Sequence, residues 1–294
     1  MSRIKINNAL LEKENAKDLN FRRVLTTSPR QYQDRLAGAV IRYGGRPIWI
    51  PGIQINELRS ETSREQRRAA LDALDAVDYL VLPSKNAMFA CLKAYDDSIS
   101  TFQTKLNMEH RNVEVWAMGA DADYLSGNLG IKNVKKPKVA STDGIIEAMR
   151  TAGSLEGNAL VFVPDVVPPL TEPDVVPKFL GNLRDVGITP HRIPAYETVV
   201  GLSLQEVVAE VNMLIDGSIS AIAFTSTAEC EGLCYIIGKE KLLRCIRLHN
   251  IVIAAHGLTT AKGVAKVLDF EGQICVSKDS STFEGMVAAI ADCM

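Results

Sequence analysis

The stretch Ile251–Leu268, IVIAAHGLTTAKGVAKVL, decides the fold class. Ile251–Ala255 is a run of β-branched and small apolar residues with no polar alternation, the pattern of a strand covered on both faces of a parallel sheet. The run breaks at His256-Gly257, and Thr259–Leu268 resumes with the spacing of an amphipathic helix. Between them lies HGLTTA, a turn holding a glycine, a histidine and two adjacent threonines. Two roles are open to it: joining a strand to a helix, or binding a ligand.

The same order recurs along the chain. Strands are expected at Arg23–Thr27, Pro47–Pro51, Tyr79–Pro83, Val113–Met118, Leu160–Pro164, His191–Pro194, Ala221–Thr225, Ile251–Ala255 and Gln273–Val276. Helical spacing falls between them at Gln31–Arg42, Arg64–Leu74, Val176–Asp185, Leu204–Asp216 and Thr259–Leu268. Strand, helix and strand joined by short connections give an α/β architecture with parallel sheets.

The two halves also match each other. YGGRPIWIP and VGITPHRIP place Gly44 and Gly187 seven residues before Pro51 and Pro194. LVLPSKNA and IAFTSTAE put Ser84 and Ser226 just after a strand. VWAMGADADYL and VIAAHGLTTAKGV do the same with Gly119 and Gly257, and KVASTDGIIEAM and CVSKDSSTFEGM align Ser141 with Ser281. The offsets are 143, 142, 138 and 140 residues. Each match is weak alone, because Gly and Ser commonly punctuate strand ends. Four in one order at a nearly constant offset indicate two copies of one α/β unit. Such symmetry predicts a cleft between similar lobes, a favoured place for a small-molecule site.

The turns after the strands are TTSPR, PSKN, GADAD, FTST and HGLTTA. In open parallel sheets ligands bind beyond the carboxyl ends of the strands. A helix N-terminus there offers unpaired N–H groups and the positive end of its dipole to carboxylates or phosphates. The alternative is that Ser28, Ser84, Ser226 and Thr259 are only N-caps, worth about 1 kcal/mol each. No nucleotide-binding glycine pattern, no Gly-x-Ser-x-Gly elbow and no metal-ligand spacing of the four histidines is present. An enzyme built on this chain is expected to work without metal or nucleotide. His110 and His249 read as solvated loop residues, and His256 either faces the cleft or caps its strand.

The 294 residues are long enough for two domains, with 47% apolar and 23% charged residues. The formal net charge of −2 gives no electrostatic case for nucleic acid or an anionic membrane as partner. Of the six cysteines, Cys91, Cys230, Cys234, Cys245, Cys275 and Cys293, only CEGLC has close spacing, and nothing completes a metal site. Reduced, structural thiols are expected. Apolar windows fall far short of the ~20 residues that span a bilayer. The polar start MSRIKINNALLEKENAKDLN fits no secretory signal. A cytoplasmic protein is expected, or one of an organelle stroma or matrix, such as a plastid, after removal of a transit peptide.

At this point the ordered motifs carry a resemblance. RVLTTSPRQYQDRLAGAVIRYGGRPIWIPGIQI, VDYLVLPSKNAMFACL, VEVWAMGADADYLSGNLG, VGITPHRIPAYETV, SAIAFTSTAECEGL and IVIAAHGLTTAKGVAKVL together resemble the uroporphyrinogen-III synthase family, from Arg23 to Ala291. The resemblance implies two similar, internally duplicated parallel-sheet α/β lobes joined by a two-stranded linker. One lobe would hold residues 1–53 with 199–294, the other residues 54–198. It implies a cofactor-free lyase reaction on a small-molecule tetrapyrrole, hydroxymethylbilane, which carries eight carboxylates. The hydroxyl of ring A leaves, the resulting azafulvene cation attacks ring D, and ring D inverts through a spiro intermediate as uroporphyrinogen III closes. That product is the precursor of haem and chlorophyll. A monomer is expected, since substrate entry asks for motion between lobes.

Residue by residue, the resemblance places Tyr196 of AYETV at the catalytic position, as a hydrogen-bond donor to the departing hydroxyl. It makes Ser28, Arg30, Ser84, Lys85, Gly119, Ala120, Asp121, Ser226, Thr227, Gly257, Leu258, Thr259 and Thr260 the substrate-binding set. This chain departs from the family at several of these turns. Thr27-Ser28-Pro29 replaces a usual Thr-Arg-Pro, Pro83 precedes Ser84, and Asp121 and Asp123 stand where a Thr-Ala pair is common. The segment VFVPDVVPPLTEPDVVPKFL carries Pro164, Pro168, Pro169 and Pro173 with Asp165 and Glu172. A second reading stays open: a homologue that binds a tetrapyrrole or a protein without cyclising anything. A generic two-lobed solute-binding module is a third.

Overall fold

The computed structural model describes residues 18–94, 99–107, 112–153, 156–279 and 282–294. His110 and Ser281 lie outside the described residues. Internal packing divides the chain into two compact units, the described part of Met1–Gln54 with Val200–Met294, and Ile55–Val199.

The first unit is a five-stranded sheet of order β11-β10-β9-β1-β2. Its strands are β1 (Arg23–Thr26), β2 (Arg46–Trp49), β9 (Ile219–Phe224), β10 (Val252–Ala255) and β11 (Ile274–Val276). All four pairings are parallel. The continuous apolar runs are explained by burial on both faces. Along β9, Ile222 and Phe224 join one core with Leu25, Ile253, Leu233 and Val264. Ala221 and Ala223 join the opposite core with Val24, Ala254, Leu36 and Met286. The strand period of two therefore feeds two layers of helices. These are α8 (Val208–Ile215), α9 (Thr227–Ile237), α10 (Lys239–Leu248) and α11 (Leu258–Leu268) on one face, with α1 (Arg30–Arg42) and α12 (Phe283–Cys293) on the other.

The second unit repeats the plan. Its sheet has the order β3-β8-β7-β4-β5-β6. The strands are β3 (Ile53–Asn56), β4 (Tyr79–Leu82), β5 (Glu114–Ala117), β6 (Val134–Lys135), β7 (Gly157–Val166) and β8 (Ile188–Val200). Leu80, Leu82, Val115, Ala117 and Phe162 face α2 (Glu61–Asp72), α3 (Lys85–Leu92) and α4 (Ile99–Asn107). Val81, Trp116, Val161 and Val163 face α6 (Thr142–Ala152) and α7 (Val175–Asp185). Apart from β3, the order β8-β7-β4-β5-β6 matches β2-β1-β9-β10-β11 strand for strand. Counted from β4, it is the doubly wound order, with the reversal between β4 and β7. Its counterpart in the first unit lies between β9 and β1. The repeat holds at Gly44 and Gly187 too, both with positive φ (70° and 89°) after a helix end.

All nine expected strands are present. The structure adds β3 and β6, of four and two residues, too short and polar to stand out in the sequence. The expected helix over Leu204–Asp216 is broken into a 3₁₀ turn at Leu204–Val207, opened by a Ser203/Glu206 capping box, and then α8. The expectation of six reduced thiols is corrected: Cys275 on β11 and Cys293 at the end of α12 form a disulfide, with Cα atoms 6.6 Å apart. Docking of α12 beside β11 brings them together, which their spacing in sequence does not announce. Cys91, Cys230, Cys234 and Cys245 are free thiols. Among the described residues no helix is long and apolar enough to cross a membrane.

Candidate functional site

In the first unit the reversal point is a buried polar knot. Thr26, Thr27 and Ser28 at the end of β1 have no solvent exposure, and Glu229 in the first turn of α9 has 1%. The Thr27 hydroxyl donates to Glu229 at 2.8 Å and lies 2.9 Å from the Ala223 carbonyl. The Thr225 amide donates to the same carboxylate oxygen at 2.8 Å, and the Thr225 hydroxyl donates to the other. Burial pushes the Glu229 carboxyl above the ordinary glutamate range, while the bonds from Thr225 and Thr27 pull it down. The Ser28 hydroxyl donates to Gln33, and its carbonyl accepts from the Trp49 indole at 2.9 Å. Gly52 presses on the Glu229 backbone, so close that a Cβ would stand 2.1 Å from the Glu229 carbonyl oxygen. Glu229 and Gly52 were not among the expected site residues. The Ser-x-x-Glu spacing Ser226–Glu229 was the available signal for the first.

The expected serine and threonine caps divide. Ser226 accepts from the Glu229 amide and Ser84 from the Ala87 amide, so both cap their own helices. Ser28 and Thr259 do not: the N-cap of α1 is Pro29 and that of α11 is Gly257, each without a side-chain cap bond. Proline there presets the backbone but brings no acceptor, and Gly257 occupies the extended cap position ahead of Thr259. The first N–H groups of α11, at Leu258, Thr259 and Thr260, thus stand at the end of an eleven-residue helix with no side-chain cap. Leu258 is 70% exposed beside them. The Thr260 hydroxyl donates to the Thr225 carbonyl at 3.4 Å. Thr227 touches α11 at Gly263, where a Cβ would come within 1.9 Å of its hydroxyl oxygen. Arg30 opens α1 and is exposed.

His256 packs its ring against Phe283, centroids 5.3 Å apart, and its backbone N–H donates to the Phe224 carbonyl. His249 is not simply a solvated loop residue: it ends α10 with Nε2 3.0 Å from the Ile215 carbonyl oxygen.

In the second unit, Ser84 and Lys85 follow β4, and Gly119, Ala120 and Asp121 follow β5. The Lys85 ammonium lies 5.6 Å from the Phe89 ring centroid. Gly119 adopts φ 52°, whereas Gly257 is extended at −162°. The helix it opens, α5 (Gly119–Asp123), lasts five residues before a π turn at Tyr124–Asn128. The Asp121 amide is spent on the Met118 carbonyl. Burial raises the Asp121 carboxyl above the ordinary range, opposed by the nearby Lys85 charge. Asp123 is held by Lys136 at 2.6 Å, and Glu172 by Arg192 at 2.6 Å, so each of these acids has a local cation.

Tyr196 is half-buried on β8, its side chain against the core that contains Phe162 and Ile193, and it stands opposite Pro164 at the carboxyl end of β7. The next residue, Glu197, is buried and accepts the Arg59 amide at 2.7 Å. Among the described residues no group of three or more His, Cys, Asp or Glu is placed to hold a metal ion.

Two doubly wound units with polar residues gathered at the carboxyl ends of their strands define a duplicated α/β protein. The chain belongs to the uroporphyrinogen-III synthase family: the family model described as uroporphyrinogen-III synthase HemD matches residues 34–288. A provisionally named uroporphyrinogen-III synthase of Methanothermobacter thermautotrophicus is 25% identical over 250 residues, covering 84% of this chain and 89% of the relative. A crystal structure of a mutant uroporphyrinogen III synthase from the extreme thermophile Thermus thermophilus shares the fold, with TM-score 0.59 and 15% identity over 92% of this chain and 98% of that one. The wild-type Form-2 crystal of the same thermophile's enzyme aligns at TM-score 0.42, with 17% identity over 92% and 97%.

Proposed function

We propose that this chain is a uroporphyrinogen-III synthase, closing hydroxymethylbilane to uroporphyrinogen III with inversion of ring D and loss of water. The family match over residues 34–288 carries the reading. Supporting it is the chemistry of the strand ends. The uncapped start of α11 offers amide donors and a positive dipole end to substrate carboxylates, which suits a polyanion on a protein of net charge −2. Arg30, Ser226 and Thr227 would add contacts on the first unit, and Ser84, Lys85, Gly119, Ala120 and Asp121 on the second; Ser28, fully buried with its hydroxyl on Gln33, would shape the turn without touching substrate. The reaction asks mainly that the right carbons be held together, an effect of proximity that needs few catalytic groups. Tyr196 would donate a hydrogen bond to the departing ring A hydroxyl, which leaves as water once it has gained a proton. The cation then attacks ring D, and the proton balance closes when the rearranged ring loses one. We place the protein in haem or chlorophyll synthesis, as a monomer in the cytoplasm or an organelle stroma.

Supplying the protein with hydroxymethylbilane made in situ by its synthase, then separating the oxidised porphyrins, tests this directly. Isomer III is expected; isomer I alone, the spontaneous product, would overturn it. Asp121 favours a second reading, because a half-buried carboxyl at a substrate turn opposes an anionic ligand. Under that reading the protein binds a tetrapyrrole without cyclising it. The same assay would return isomer I while a bound porphyrin quenched tryptophan fluorescence.

A further inference from the structure

Strands β7 and β8 pair in register from Gly157↔Ile188 to Val163↔Pro194, then resume at Pro164↔Tyr196. Ala195 is therefore an extra residue, a β-bulge. Pro194 and Pro164, in successive rungs of the register, flank the slip, and neither has an amide hydrogen to give the ladder. Bulges re-aim the side chains that follow them. The residue that follows here is Tyr196.

A side chain of α2 braces the bulge. The Arg67 guanidinium donates from Nη1 to the Ala195 carbonyl at 3.2 Å. Arg64 and Arg68 on the same helix stay exposed, whereas Arg67 is drawn half out of water. Its Nε is buried and has no acceptor among the described residues. Burial lowers the Arg67 pKa, with the Cys91 thiol and Glu57 acting the other way. The Ala195 carbonyl and the Tyr196 amide belong to one rigid peptide plane. Holding that carbonyl fixes the plane, and with it the direction in which the Tyr196 side chain leaves the strand.

We propose that Arg67 is a positioning residue for Tyr196, acting through the Ala195 carbonyl of the bulge. The proposal rests on the reading of Tyr196 as the residue that meets the substrate. It is tested on the full chain carrying Arg67→Met, Arg67→Lys, Tyr196→Phe and the Arg67→Met/Tyr196→Phe pair. Arg67→Met is expected to lower kcat for isomer III roughly ten- to a hundred-fold, as a small misplacement does, with little change in KM. In the Tyr196→Phe background the same change should cost almost nothing further, and Arg67→Lys, which keeps a donor, should recover most of the rate. Equal losses in both backgrounds would overturn the proposal.

A second readout is independent of turnover. In protein labelled with 3-fluorotyrosine, the ¹⁹F line that disappears in Tyr196→Phe belongs to Tyr196. Arg67→Met should shift that line and leave the other tyrosines unmoved; an unmoved Tyr196 line overturns the proposal even if wild-type protein forms only isomer I. Should Arg67→Met not fold, Arg67→Ala, which also removes the donor, is measured in its place with the same two outcomes.

Discussion

Thr27 and Glu229 are 202 residues apart, yet the threonine hydroxyl donates to the carboxylate at 2.8 Å where β1 and β9 end side by side. The bond spans the reversal point of the first sheet, where neighbouring strands feed helices to opposite faces and their ends diverge. A buried carboxyl with hydrogen-bond partners on both strand ends holds that divergence fixed.

The Glu229 bond network gives a pH dependence with a definite sign. Burial raises its folded pKa above the ordinary glutamate value of about 4.3, so the folded state holds the proton more tightly than the unfolded chain. Its contribution to stability is full at pH below that ordinary value and declines as pH rises through the raised one. The urea midpoint of wild-type protein should therefore contain a declining component over that window, absent in Glu229→Gln. Glu229→Ala strands the donors of Thr27 and Thr225 and should cost about 1–3 kcal/mol. Equal pH profiles for wild type and Glu229→Gln would refute the assignment.

Gly232 decides between two opposing effects. Alanine is favoured over glycine inside a helix by about 1 kcal/mol. A Cβ at Gly232, however, would lie 1.8 Å from the Gly52 carbonyl oxygen, which is backbone and cannot rotate away. Overpacking of this kind costs about 1–3 kcal/mol, so the net effect of Gly232→Ala should be destabilising. Thermal unfolding reads the sign; a raised Tm would show that Gly52 yields easily.

The Cys275–Cys293 disulfide joins residues 18 apart. In the loop-entropy description such a crosslink is worth about 3 kcal/mol. Unfolding in denaturant with and without a thiol reductant should differ by about that much in wild-type protein. Cys275→Ser should already sit at the reduced value and show no response to reductant.

What the sequence disclosed follows from where side chains are buried. Runs such as Tyr79–Leu82 and Ile222–Phe224 face cores on both sides and so stand out as continuous apolar strands. β3, reading IQIN, and the two-residue β6 carry no comparable pattern, because each is an edge strand recruited by its neighbour. The three repeated Gly and Ser pairs that lie wholly within the described residues placed their turns correctly. They did not disclose conformation: Gly119 and Gly257 occupy equivalent turns at φ 52° and −162°. Caps were readable only where the serine itself sits at the N-cap, as at Ser84 and Ser226. At α1 and α11 a proline and a glycine took that place, leaving both helix starts without a side-chain cap. The Ala195 bulge depends on the register in which β7 and β8 pair, and the disulfide on how α12 docks, so both needed the tertiary structure.

The bare start of α11 can be probed with a substitution whose effects on stability and on binding have opposite signs. Leu258 is 70% exposed and begins the helix, so a carboxylate placed there meets the positive end of the dipole without being buried. Leu258→Glu should raise stability slightly, by about 0.3–1 kcal/mol at low salt. If the same N–H groups receive a substrate carboxylate, the new charge competes for them and repels the ligand, so KM for hydroxymethylbilane should rise severalfold while kcat changes less. Leu258→Gln, neutral and of similar length, separates charge from shape and should leave both quantities near wild type. A more stable protein with unchanged KM would mean that the HGLTTA turn only joins β10 to α11, and that substrate carboxylates are held elsewhere.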